Sequence, residues 1–214
     1  MPRIATFREE GRRRLDCRQP GITLLELMLT VAIIGILALL VAPSLDSMLK
    51  ANRTRTVASE LLAALNLARS EAARRGQPVS ICRSSDGSSC ATGGTGWDKG
   101  WIVFVNADGR DEGKTAVRDE EDALLQVRQD VPAGVTVRAN SNFTQSLTYL
   151  RTGQVWGPGT GTFAICSGSD AEISRRKPQA IVVNATRAVL ATDSDGDGIP
   201  EKGEEGNLRS CESP

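Results

Sequence analysis

The chain has 214 residues, enough for one domain and an N-terminal extension, and its 26 Lys+Arg balance 26 Asp+Glu. Six arginines and three acids fall in residues 1–21, leaving 20 bases against 23 acids in the body, and this mild acidity argues against a broadly basic nucleic-acid footprint. With no histidine, the commonest general base and transition-metal ligand is missing; no nucleophile constellation replaces it, and the chain does not read as an enzyme.

Residues 22–42 are apolar apart from Thr23, Glu26 and Thr30. At about 1.5 Å per residue this run approaches a hydrocarbon core of roughly 30 Å, which predicts a transmembrane helix segment over 22–43. The arginines before it predict a cytoplasmic N-terminal side, although Lys50, Arg53 and Arg55 oppose that bias. Glu26 is the exceptional residue, because a carboxylate in an apolar helix is costly without a partner and so marks a functional position.

Gly21 before Ile22, Glu26 at its offset, the long apolar run and Pro43 together resemble the N-terminal signature of type IV prepilins and type II secretion pseudopilins. The resemblance implies cleavage between Gly21 and Ile22 by a prepilin peptidase and methylation of the new Ile22 amine. It also implies that Glu26 meets the N-terminal amine of a neighbouring subunit during assembly, and that Pro43 is the proline near the end of the apolar segment. Ile22 departs from the more usual phenylalanine, and a 21-residue leader is longer than many. Physically, an ammonium at Ile22 and a carboxylate on another subunit make burial of both charges tolerable only in the assembled bundle. Pro43 removes a helix hydrogen bond and predicts a bend or loosening there.

Residues 44–75 contain neither glycine nor proline, and Val57, Leu61, Leu65, Ala68 and Ala72 form one stripe. This predicts an amphipathic continuation of the helix over 44–76, ended by Gly76 and Pro78 and packed on the domain's own sheet. Strands are predicted at 79–83, 101–106, 124–128, 135–139, 146–150, 162–166, 180–183 and 187–191, separated by turn-rich segments. The fold class is therefore α+β: a long N-terminal helix, half transmembrane and half amphipathic, on small antiparallel sheets, with a β-rich domain over 77–214.

This organisation resembles the GspH/FimT-type minor pseudopilins and minor pilins, especially the turn and strand from Gly96 through Trp97, Asp98, Lys99, Gly100 and Trp101 to Val105. Trp97 and Trp101 are expected in the core or covering a turn. Cys17 lies in the leader; Cys82, Cys90, Cys166 and Cys211 remain, an even set with three possible pairings that suits an oxidising compartment. Cys82 and Cys90 flank turn material that suits a local bridge; Cys166 and Cys211 would then fasten the C-terminal tail, as related type IV minor pilins often do.

Asp193, Asp195, Asp197, Ile199, Glu201 and Glu204 fit the oxygen-donor spacing of a calcium loop, with Gly198 at the sharp turn. Calcium is thus a candidate ligand, though no cofactor is required. Flanking helices are not expected, and an acidic solvated turn is the competing reading. Asp108, Asp111 and Glu112 form a weaker acidic turn, read as surface. Arg175, Arg176, Lys177 and Arg187 offer phosphate contacts. However, the Gly-Arg-any-Arg tail pattern of DNA-associated relatives survives here only as Arg187 within Thr186–Val189, which argues against direct DNA binding.

The resemblance implies a structural minor subunit supporting initiation or assembly of a type IV pilus, or alternatively an H-type minor pseudopilin of type II secretion. The expected partners are other minor and major pilins or pseudopilins, the prepilin peptidase and the inner membrane. The expected placement is single-pass in the bacterial inner membrane with the C-terminal domain periplasmic, able to enter a pilus or pseudopilus.

Overall fold

One helix, α1 (Leu24–Arg75), precedes eight strands: β1 (Val79–Arg83), β2 (Gly100–Val105), β3 (Leu124–Gln129), β4 (Val135–Ala139), β5 (Ser146–Tyr149), β6 (Gly161–Ser167), β7 (Gln179–Asn184) and β8 (Arg187–Leu190). The computed structural model describes residues 21–94, 96–106, 116–157, 159–168, 177–202, 206–208, 210–212 and 214, leaving out the side chains of 39–44. Cys17, Asp108, Asp111, Glu112, Arg175, Arg176 and Glu204 lie outside the described residues. The chain divides into two units, Met1–Pro43 and Ser44–Pro214.

In the first unit, Thr23 caps α1: its hydroxyl accepts from the Glu26 N–H at 3.2 Å, satisfying one of the free donors of the first turn. Glu26 also places negative charge at the positive end of the helix. The large apolar side chains from Ile22 to Leu37 are solvent-exposed. The expectation of a transmembrane segment over 22–43 is corrected: among the described residues no helix is long and apolar enough to cross a membrane. The first turn of this helix also carries the Glu26 carboxylate, a charge that is costly in a hydrocarbon interior. The single-pass inner-membrane placement, which rested on that segment, is corrected with it. The rest of the expected fold class, a long helix and antiparallel sheets, is what the structure shows.

In the second unit, α1 ends at Arg75. Gly76 follows with φ 66°, its N–H donating to the Ala72 carbonyl at 3.0 Å, a glycine C-cap. Glu71 bonds Arg74 and Arg75, and these hydrogen bonds hold its carboxyl down at about 2. Val57, Ala58, Leu61, Ala64, Leu65, Ala68 and Ala72 are fully buried, so the predicted stripe faces the core of its own domain.

The strands form two antiparallel four-stranded sheets, ordered β3-β2-β1-β5 and β4-β6-β7-β8. Their period of two divides the side chains between clusters. Val79, Ile81, Trp101, Val103, Leu147 and Tyr149 of the first sheet join Val135, Val137, Phe163, Ile165, Ile181 and Val183 of the second in one core with the helix stripe. The alternate positions face outward into smaller clusters: Cys82, Ile102 and Phe104 with Ala116 and Cys90 on the first sheet, and Ala164, Cys166 and Ala180 with Leu208 and Cys211 on the second. This is why β1 and β2 are buried along their whole length.

Trp97 packs edge-on to Phe163 with ring centroids 5.2 Å apart, and Phe143 stacks on Phe163 at 5.8 Å. The turn before β2 ties the two sheets together. Trp97 N–H donates to the Val137 carbonyl at 2.9 Å, and the Asp98 carboxylate accepts from Val137 N–H at 2.6 Å and pairs with Arg138 at 2.6 Å. Gly100 sits at φ 114°, where a Cβ would collide with the Arg128 carbonyl on the neighbouring strand, so only glycine fits this approach.

Tyr149 is the only tyrosine in the chain and is fully buried. Burial pushes its phenol up to about 12, with the charge of Arg69 pulling the other way. Because the folded value lies above the ordinary one of about 10, the neutral phenol is favoured in the native state. Its contribution is full below pH ~10 and is lost as pH rises towards about 12, an effect of roughly 2 kcal/mol. Phenolate absorbance should titrate near 12 in the folded chain, and Tyr149→Phe should flatten the alkaline limb of the stability profile; a native midpoint near 10 would show that water reaches the hydroxyl.

Candidate functional site

The sequence-predicted residues fall into separate places. Gly21 and Ile22 precede α1 in exposed non-helical backbone, Glu26 lies in its exposed first turn, and α1 continues through position 43. The Thr23 cap is a feature the sequence reading missed, although Thr23 and Glu26 stand at the spacing of a capping box.

The four body cysteines form two disulfides, Cys82–Cys90 and Cys166–Cys211. The first closes a loop over the outer face of the first sheet. Within it the Asp86 carboxylate accepts from the Ser89 hydroxyl at 2.6 Å and from the Ser89 and Ser88 N–H groups at 2.8 Å, contacts that hold it well below the usual carboxylate range. Arg83 is buried in the same loop, its Nε donating to the Ala91 carbonyl at 3.2 Å and a second guanidinium N–H to the Gly94 carbonyl. Burial pushes its pKa down. The second disulfide joins β6 to Cys211 and, with buried Leu208, anchors the tail on the second sheet.

In the acidic loop, Asp193, Asp195 and Asp197 are exposed, and one carboxylate oxygen from each lies within 4.8 Å of the others. Such a cluster can chelate a divalent cation through hard oxygen donors. The loop holds its own shape. Asp193 accepts from Gly196 and Gly198 N–H at 2.8 and 2.9 Å, Asp195 from Asp197 N–H at 3.1 Å, and Asp197 from Ile199 N–H at 2.8 Å and the Asn207 amide at 2.6 Å. Glu201 stands apart from that trio. Its carboxylate accepts from the Ser194 hydroxyl at 2.6 Å and Ser194 N–H at 2.8 Å, which lowers its pKa. Of the basic residues considered for phosphate contact, Lys177 and Arg187 are exposed, with Arg187 opening β8.

Helix, paired antiparallel sheets and fastened tail define a pilin-like α+β protein. Residues 57–187 match the family model described as type II transport protein GspH, and residues 16–42 match the prokaryotic N-terminal methylation motif. The chain belongs to the GspH family. Its members are structural minor pilin or pseudopilin subunits of pilus or pseudopilus assembly, and the role is structural, not catalytic. Two crystal forms of the type IV minor pilin FimU of Pseudomonas aeruginosa (strain PAO1) share 24% identity with it. One covers 75% of this chain and 96% of its own at TM-score 0.52, the other 73% and 98% at 0.49; the first supports the shared fold. A search of the curated proteins finds no match.

The disulfides close loops of different length, with sequence separations of 8 and 45. Chain-entropy scaling gives about 2.5 kcal/mol for the shorter and about 4 kcal/mol for the longer. The paired change Cys166→Ser, Cys211→Ser should therefore cost more in urea unfolding than Cys82→Ser, Cys90→Ser, and it should open the C-terminal tail to limited proteolysis. Equal losses with a protected tail would mean that packing of Leu208 alone holds the segment.

Proposed function

We propose that the chain is a minor subunit supporting initiation of a type IV pilus. The observation that carries this reading is the methylation motif over residues 16–42 joined to a GspH-family domain in one chain. The tail fastened by Cys166–Cys211 favours the pilus branch, and the solved chain of like fold is a type IV minor pilin. A prepilin peptidase would cut between Gly21 and Ile22, which lie exposed ahead of the first turn. The new Ile22 ammonium of one subunit then compensates Glu26 of another, while Ile22–Leu37 supply apolar surface for neighbouring helices. Pro43 is assigned to local adjustment of the helix during packing. The second reading, an H-type minor pseudopilin of type II secretion, is favoured by the family description itself.

Cross-linking mass spectrometry on native cells separates the two. A methylated Ile22 terminus linked to minor pilins supports the pilus reading, links to secretion pseudopilins select the alternative, and an uncut leader without subunit contacts overturns both. Glu26→Gln should lower incorporation into sheared fibres at least tenfold while leaving chain abundance unchanged; wild-type incorporation would remove Glu26 from the assembly step.

We further assign calcium to the Asp193, Asp195 and Asp197 cluster, with the Ile199 carbonyl, Glu201 and Glu204 as additional ligands. Glu201 would have to leave Ser194 to join them, so binding should reorganise this loop. Calorimetric titration with calcium should show one saturable site that is lost in Asp193→Asn with Asp195→Asn; no heat at millimolar calcium would leave an acidic turn held by its own hydrogen bonds.

A further inference from the structure

The second unit carries a polar groove along α1. Asn66, Arg69, Ser70 and Ala73 follow one another along α1 at spacings of three, one and three, and with Thr152 and Gly153 from the turn after β5 they line about 280 Å³. These spacings put the helical residues on one face. Gly153 adopts φ 75°, and a Cβ there would stand 3.5 Å from Arg69 Nε and 3.7 Å from its Cγ. The turn thus lies beside the arginine.

Arg69 is half-buried, and among the described residues no group accepts a hydrogen bond from its guanidinium. Arg74 and Arg75 of the same unit pair with Glu71, Arg128 with Glu60, and Arg138 with Asp98 and Glu212. A second unsatisfied group lies within its electrostatic reach. Tyr149 is fully buried, and among the described residues its hydroxyl has no hydrogen-bond partner. A guanidinium fork in a concave polar groove is the geometry that receives a carboxylate in two parallel hydrogen bonds.

We propose that this groove receives an aspartate or glutamate side chain of a neighbouring subunit in the assembled fibre. The inference rests on the structural-subunit reading. Charge selects the occupant: the lining holds a single cationic side chain among neutral groups, matching one carboxylate. The acidic balance of the body, 20 bases against 23 acids after residue 21, disfavours a polyanion with several phosphates. Gly153 supplies the positive φ that the turn beside Arg69 requires.

The test uses fibres sheared from cells making the full chain with Arg69→Lys, treated with a water-soluble carbodiimide that joins an amine to a contacting carboxylate. Peptide mass spectrometry should find position 69 joined to an Asp or Glu of a different subunit. Arg69→Gln should lower the amount of chain in sheared fibres several-fold at unchanged abundance and melting temperature, with Arg69→Lys restoring most of it. Links from position 69 only to its own chain, no link at all, or wild-type incorporation of Arg69→Gln would overturn the proposal. Absence of the wild-type chain from every fibre fraction would instead bring down the subunit reading, and this inference with it.

Discussion

Burial of the α1 stripe is the contact on which the second unit depends. Its small residues Ala58, Ala64, Ala68 and Ala72 alternate with Val57, Leu61 and Leu65, all fully buried, and they meet side chains from both sheets in one core. Small residues allow close approach of the sheet strands, and the larger ones fill the space between them. Trp97, Phe163 and Phe143 extend the same core, and the Asp98–Arg138 pair joins the sheets at its margin.

Each sheet also has an outward face, and the same device covers both. A disulfide draws a loop or tail over the strand positions that alternate with the core: Cys82–Cys90 beside Ile102 and Phe104, and Cys166–Cys211 beside Ala164, Ala180 and Leu208. Short covering segments bury too little apolar area to stay in place unaided, and cross-linking removes much of the freedom they would otherwise lose on folding. Strands that are buried on both faces and read as continuous apolar runs follow directly from this arrangement.

The first unit differs physically. Its large apolar side chains are exposed within the single chain, and large exposed apolar surface marks a place of association. Family membership implies interaction with other pilins or pseudopilins. The same helix therefore carries two kinds of apolar residue: those from 57 to 72 are buried inside one domain, whereas the large ones from 22 to 37 are exposed in the single chain.

The sequence alone determined the helix stripe, the ends of β1 and β4, the approximate place of every other strand and the family, because periodicity, turn residues and a contiguous N-terminal motif are local signals. It also led to a transmembrane segment that the structure does not support: among the described residues no helix is long and apolar enough to cross a membrane, and α1 carries the Glu26 carboxylate in its first turn. The Thr23 cap was legible in spacing but overlooked beside the stronger processing signal. Only the tertiary structure decided which cysteines pair, that Glu201 turns to Ser194 rather than to the three aspartates, that Asp98 and Arg138 join the sheets, and that Arg69 meets the turn at Gly153. These are contacts between residues distant in sequence or choices among equivalent local partners, and no periodicity encodes them; they arise when the sheets close on the helix.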